Sequence, residues 1–333
     1  MATHHLFFIA FFIFIIGMLA LDLGVFHKKD HVIGLKEAAI WTGVWVVLAM
    51  LFAVLIRFHA EWIHGLAAAD FGNFEALEAY RKEMANQFLA GYFIEESLSI
   101  DNIFVMIMIF VSFGIDKQYY HRILFWGILG AIVLRFIFIF ALGALVTKFS
   151  WVLAVFGAVL IYSGIRMFRD KGDEKIDTER HPAVRFASKY FRATPKIDGH
   201  NFFTRIDGKT FITPLFIVLL VIEFSDIIFA VDSIPAVFSV STDSVIVYTS
   251  NIFAIMGLRS LFFLLSDIAD RFWLLHYGLG VLLCFIGVKM IGHEFFGLEV
   301  STVASLCIIL GILICSILLS LAIKKKEPTK LPE

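Results

Sequence analysis

The sequence predicts an all-α polytopic membrane protein of about nine transmembrane helices, with an inverted repeat of three helices inside it. Two compositional facts and one pattern carry this. Apolar residue types make up 60% of the 333 residues and charged types 17%, against about 25% charged in soluble domains. Mean hydropathy is +0.87. Nine apolar runs follow one another, each near or above the roughly 20 residues that a helix needs to cross a bilayer. This composition excludes a soluble enzyme and a disordered chain. A net charge of −1 offers no basic face for nucleic acid. Cys284, Cys307 and Cys315 all lie in apolar C-terminal runs. Their odd count and irregular spacing argue against a disulfide framework or a zinc site.

The runs fall at about 6–26, 38–58, 87–113, 122–147, 150–169, 211–240, 244–266, 273–292 and 299–323. The first has no Lys or Arg before it and exceeds the roughly 7–15 apolar residues of a signal peptide, so it reads as a retained helix. The third and sixth are too long for simple spans and carry several charges. Between the second and third, residues 60–86 read as an external amphipathic segment.

Loop charges set an orientation. Lys28, Lys29 and Lys36 fill the first loop, Lys117 and Arg122 the third. The long fifth loop holds Lys171, Lys175, Arg180, Arg185, Lys189, Arg192, Lys196, Arg205 and Lys209. Arg271 and the tail lysines Lys324, Lys325, Lys326 and Lys330 continue the alternation. By the positive-inside rule the N-terminus is outside and the C-terminus cytoplasmic, which an odd number of spans also requires. Asp22 then sits near the cytoplasmic end of span one, where a carboxylate reaches water.

Self-similarity appears in the middle of the chain. Glu95…Asp101-Asn102-Ile103 and Asp226…Asp232-Ser233-Ile234 share a pattern at an offset of 131 residues. Leu134-Arg135 mirrors Leu258-Arg259 at an offset of 124. Gly157, Gly164, Arg166 and Met167 pair with Gly280, Gly287, Lys289 and Met290 at an offset of 123. The chain is thus a single membrane domain. Repeat A is 87–169, a cytoplasmic loop is 170–210, and repeat B is 211–292; extra helices lie at 6–26, 38–58 and 299–323. A three-helix unit ends on the side opposite its start, so its second copy is inverted. Secondary transporters recurrently use this construction, with the substrate site at the midplane.

Six acids fall inside two spans: Glu95, Glu96, Asp101, Glu223, Asp226 and Asp232. Charged and unpaired they would cost on the order of 15 kcal/mol. Ion pairing, protonation or a bound cation can compensate. Arg135 and Arg259 can answer two of the acids but not six, and Arg166 and Lys289 lie near span ends and can snorkel. Protonation would make a proton relay. A bound cation fits best. The ligand set would be Glu95, Asp101, Asn102, Glu223, Asp226 and Asp232, with Ser97, Ser99, Ser225 and Ser233 beside them. All are oxygen donors, which suit Mg²⁺, Ca²⁺ and Mn²⁺. The histidines, among them His59, His64, His121, His276 and His293, read as solvated residues of loops and span ends.

Geometry qualifies the set. Glu223 and Asp226 share a helical face. Glu95 and Asp101 lie six apart, about 240° around an ideal helix, as do Asp226 and Asp232. Pro235 removes a backbone donor, so span six is expected to break or kink near Ser233–Pro235. A different class of function remains open. Asp101 and Asp232 could form the proton-sharing dyad of an intramembrane aspartyl hydrolase. A membrane scaffold is a third class. No Walker A pattern is present, so the chain itself does not use ATP.

The motifs Tyr92-Phe93-Ile94-Glu95-Glu96-Ser97-Leu98-Ser99-Ile100-Asp101-Asn102 and Glu223-Phe224-Ser225-Asp226-Ile227-Ile228-Phe229-Ala230-Val231-Asp232-Ser233-Ile234-Pro235-Ala236, supported by Ser250 through Arg259, resemble the TerC family of integral membrane proteins. The resemblance covers roughly residues 5–325. It implies export of manganese from the cytoplasm across a bacterial inner membrane, and an older association with tellurite resistance. The family's acidic positions map onto Glu95, Asp101, Glu223, Asp226 and Asp232, whereas Glu96 is not carried over. The partners implied are a divalent metal ion as cargo and the lipid bilayer. No fixed cofactor and no enzyme activity are expected. Spacing alone stops at a hard divalent cation, with Ca²⁺ and Mg²⁺ as alternatives.

Overall fold

Inside a bilayer no water can satisfy backbone N–H and C=O groups, so an apolar run must close its hydrogen bonds on itself. All nine runs do so as helices. A computed structural model describes residues 2–26, 34–149, 151–169, 182–268 and 274–323. The Asp22 side chain, Lys28, Lys29, Lys171, Lys175, Arg180, Arg271 and the tail lysines lie outside the described residues. The elements are α1 (Ala2–Phe26), α2 (Leu35–His59), the single turn α3 (Glu61–His64), α4 (Phe74–Ser112), α5 (Lys117–Lys148), α6 (Trp151–Arg169), α7 (Pro182–Tyr190), β1 (Phe203–Ile206), β2 (Lys209–Ile212), α8 (Pro214–Phe238), α9 (Ser244–Ile268), α10 (Leu275–Phe296) and α11 (Thr302–Ala322). Among the described residues, seven helices are long and apolar enough to cross a membrane: α2, α5, α6 and α8 to α11. In α1 the apolar stretch is Leu6–Ala20. The acids remove α4 from that set, although it runs for 39 residues.

Two expectations change. The segment 60–86 is not a separate amphipathic element; α4 already starts at Phe74, where the Asn73 side chain accepts from the Ala76 amide at 2.7 Å. Span six does not break at Ser233–Pro235. α8 continues to Phe238; Pro235 forgoes the single ladder bond its amide would make to Val231, while the Ser239 amide still bonds the Pro235 carbonyl at 3.1 Å. The loop 170–210 carries secondary structure of its own where it is described. It holds α7 and leads into a hairpin whose register pairs Ile206 with Lys209 across Asp207-Gly208. Both turn residues have positive φ, 50° and 73°, as the favoured two-residue hairpin turn demands.

The core sits around α9, which is buried almost throughout. α4 and α5 each pack on both α8 and α9, while α6 packs chiefly on α10. α2 and α11 lie outside this group and keep large lipid-facing surfaces. The α6–α10 contact is glycine on glycine. A Cβ on Gly164 would lie 2.6 Å from the Gly280 carbonyl oxygen, and one on Gly287 would lie 2.5 Å from that of Gly157. Small residues permit this approach, which supplies packing that lipid tails cannot replace.

Polar contacts gather at two ends of the bundle. At one end Ser241 donates to Gln87 at 2.7 Å, Thr302 to Glu83 at 2.6 Å, and Lys289 to the Ser239 carbonyl at 3.0 Å. At the other end Tyr119 meets His200, Arg122 lies over Phe202, and Phe203 stacks near Phe216 at the start of α8.

The first end also carries a titratable clasp. His64 meets Asp243 at 2.8 Å through Nε2 and Tyr80 at 2.7 Å through Nδ1. The hydrogen bond to Asp243 raises the His64 imidazole above its ordinary value, against burial. Burial pushes the Asp243 carboxyl up, but the bond and charge of His64 and the Val245 and Ile246 amides outweigh it and hold it low. A raised histidine contributes stability below its unfolded value, and this is lost as pH rises through the folded value. Melting temperature should therefore fall as pH climbs above the ordinary histidine range, and His64→Gln should flatten that slope. An unchanged slope in the variant would exclude the clasp as its source.

Candidate functional site

The six acids do not act as one group. Glu95 is fully buried and bonds the Arg135 guanidinium. Arg135 also donates to Asn251 at 2.6 Å and lies 3.6 Å from Asp226. Asn102 donates to the same Asp226 oxygen at 3.1 Å. One arginine from α5 thus ties an acid of α4 to an acid of α8, and one negative charge is left over. Repulsion between the two carboxylates would otherwise separate these helices.

Asp101 and Asp232 stand apart from this knot. Both line a cavity of about 290 Å³ together with Glu95, Ser99, Asn102, Arg135 and Ser233. Ser163 of α6 donates to Asp232 at 3.0 Å, and His276 of α10 faces Asp101 at 3.0 Å. Arg166 and Met167 form part of the same wall. The cavity is not fully satisfied. Glu95 Oε2 and Asn102 Oδ1 are buried without a hydrogen-bond partner, as is Asp226 Oδ2 in the knot. Buried acceptors left this way are costly and call for a donor or a cation.

The remaining candidates are scattered. Glu223 lies against α5, where a Cβ on Gly130 would come within 2.0 Å of its Oε1. Glu96 faces Gly257 of α9, and its Oε2 has no hydrogen-bond partner. Ser97 and Ser225 turn back onto their own helices and donate to the carbonyls of Phe93 and Val221. Ser99 stays with Glu95 at 3.5 Å. Arg259 contacts His121 at 3.0 Å, and with Asp226 it lines a second, very small void. Among the described residues no three His, Cys, Asp or Glu side chains converge closely enough to hold a metal ion.

Sequence reasoning missed Ser163 and His276. No spacing signal marks Ser163. His276 looked like a residue at a span end, and it is one. The packing of α10 on α6 brings that end to Asp101, 175 residues away in sequence.

The sequence pattern of the integral membrane protein TerC family matches residues 80–328. An uncharacterized membrane protein of Myxococcus xanthus is 44% identical over 96% of this chain and 93% of its own length. A Salmonella typhi protein provisionally named membrane-bound redox modulator Alx is 41% identical over 96% of this chain and 95% of its own. Its Escherichia coli K12 counterpart is 41% identical over 91% and 90%. No solved structure matches the chain. The chain belongs to the TerC family of integral membrane proteins.

Proposed function

We propose that the chain is a secondary transporter, not an enzyme, that exports a divalent cation, foremost Mn²⁺, from the cytoplasm. One observation carries the reading. The membrane cavity is lined by Asp101 of α4 and Asp232 of α8, and its lining residues Glu95 and Asn102 each carry a buried oxygen without a hydrogen-bond partner. A hard cation is the ligand that such a lining takes. The preference for Mn²⁺ rests on the family.

The residues divide the work. Asp101, Asp232 and Asn102 offer oxygens to the ion, with Ser163 and Ser233 at the edge. Glu95, Arg135 and Asp226 form an electrostatic bolt between the two acid-bearing helices. Asp101 and Asp232 hold corresponding places in the two repeats, so rocking of inverted halves would expose the ion to each side in turn. The cytoplasm lies at the end where α7 and the hairpin sit, by the positive-inside rule. Carboxylates that give up a metal ion take up protons, which makes H⁺ the natural counter-ion.

The test is cytoplasmic Mn after manganese loading, with native protein, Asp101→Asn and Asp232→Asn at matched membrane levels. The native chain should lower Mn and both variants should fail. A native chain that leaves Mn unchanged, or variants that work as well as it does, would sink the reading. Parallel measurement of Ca and Mg tests the alternative cargoes.

A further inference from the structure

His276 is placed as a metal ligand is placed. Its Nε2 lies 3.1 Å from the Met167 carbonyl oxygen, and its Nδ1 lies 3.0 Å from Asp101 Oδ1. A carbonyl only accepts, so Nε2 carries a hydrogen. In the neutral ring Nδ1 then presents a lone pair, and it presents it to a carboxylate, which also only accepts. Two lone pairs at 3.0 Å need a positive species between them: a proton, which makes the pair an ordinary imidazolium–carboxylate contact, or a metal ion that takes the proton's place.

The surroundings match a metal ion in three ways. An octahedral divalent ion with ligands roughly 2.1 Å away sets adjacent ligand atoms roughly 3 Å apart. That is the Nδ1–Oδ1 separation. Second, metal-bound histidines almost always give their other ring N–H to a carbonyl or carboxylate, which fixes the tautomer. Met167 does this here. Third, Asn102, next to Asp101 in the chain, lines the same cavity, and its Oδ1 is buried without a hydrogen-bond partner.

Resting on the transport reading above, we infer that His276 is a nitrogen ligand of the exported ion, sharing it with Asp101. The two are half of a coordination sphere. Water, Asn102, or Asp232 from the opposing helix completes it when the halves close. This adds a preference that carboxylates alone lack. Imidazole suits transition-metal ions, whereas Mg²⁺ and Ca²⁺ favour oxygen. His276 would therefore select Mn²⁺ over those two commoner ions.

Pulsed electron paramagnetic resonance tests this on the full chain in detergent, with substoichiometric Mn²⁺ as the probe. Native protein should show ¹⁴N coupling of a directly bound imidazole. Protein grown with ¹⁵N-histidine should convert it to the ¹⁵N pattern, without any mutation. His276→Gln should remove the coupling and weaken Mn²⁺ binding about tenfold or more, with Mg²⁺ binding changed less than twofold. Mn²⁺ bound to native protein without nitrogen coupling would overturn the inference and leave the transport reading intact. Coupling that persists in His276→Gln would also overturn it. Native protein that binds no Mn²⁺ would overturn both.

Discussion

Replacing Arg135 with methionine should cost the chain its folded state. Arg135 is 2% exposed, and its guanidinium is the charge that faces both Glu95 and Asp226. Removing one partner of a buried ion pair costs about 3–5 kcal/mol, and here two carboxylates lose their counter-charge at once. Whole domains hold only about 5–15 kcal/mol. The expected result is a collapse of the monodisperse peak in detergent and a sharply lower melting temperature. The cause is testable by neutralising the acids. Arg135→Met combined with Glu95→Gln and Asp226→Asn should recover the folded protein, since the knot then holds no charge, while Mn export stays lost. If the single variant melted like the native chain, both carboxyls would already be protonated and the bolt would not exist.

The second large effect is expected where α6 meets α10. Gly164→Val places a Cβ 2.6 Å from the Gly280 carbonyl oxygen and 2.7 Å from the Cys284 sulfur. Below 3.0 Å something must shift, and here one neighbour is backbone, which cannot swing away as a side chain does. Overpacking of this kind costs roughly 1–3 kcal/mol in ordinary cores. In lipid the helices can instead part, because no hydrophobic force holds them together. Parting would carry Ser163 and Met167 away from His276 and the Asp232 side of the cavity. Export should fall to background even where folded protein is recovered. Gly43→Ala is the matched control, since nothing lies within 4 Å of its new Cβ. Gly43→Ala should keep native stability and transport. Normal export by Gly164→Val would show that the close helix contact does not shape the cavity.

Much of this chain was legible without coordinates because bilayer physics is severe. Each apolar run had to become a helix, and each became one. Acids such as Glu95, Asp101 and Asp232 stood out because charge in hydrocarbon is costly, whatever surrounds it. The count of two arginines against six acids already implied that most acids lacked an ionic partner. One local signal went unused: Ile206-Asp207-Gly208-Lys209 is a hairpin turn by sequence alone. Pro235 did not break α8, because a missing amide donor removes one ladder bond and the Ser239 amide still closes the last turn on the Pro235 carbonyl.

Partner choice belonged to the tertiary structure. Sequence placed Arg135 and Arg259 as equivalents, yet Arg135 ties Glu95 to Asp226 while Arg259 turns to His121. Periodicity put Asp101 and Glu95 at different angles on α4, but could not say that one would meet His276 and the other a guanidinium. Sequence by itself determined what had to be buried in the membrane and which charges would need compensation, since solvation energy attaches to each residue singly. Which side chain compensates which was decided by the packing of α4 on α8 and of α6 on α10, because a hydrogen bond or a shared ion depends on positions that only the assembled helices define.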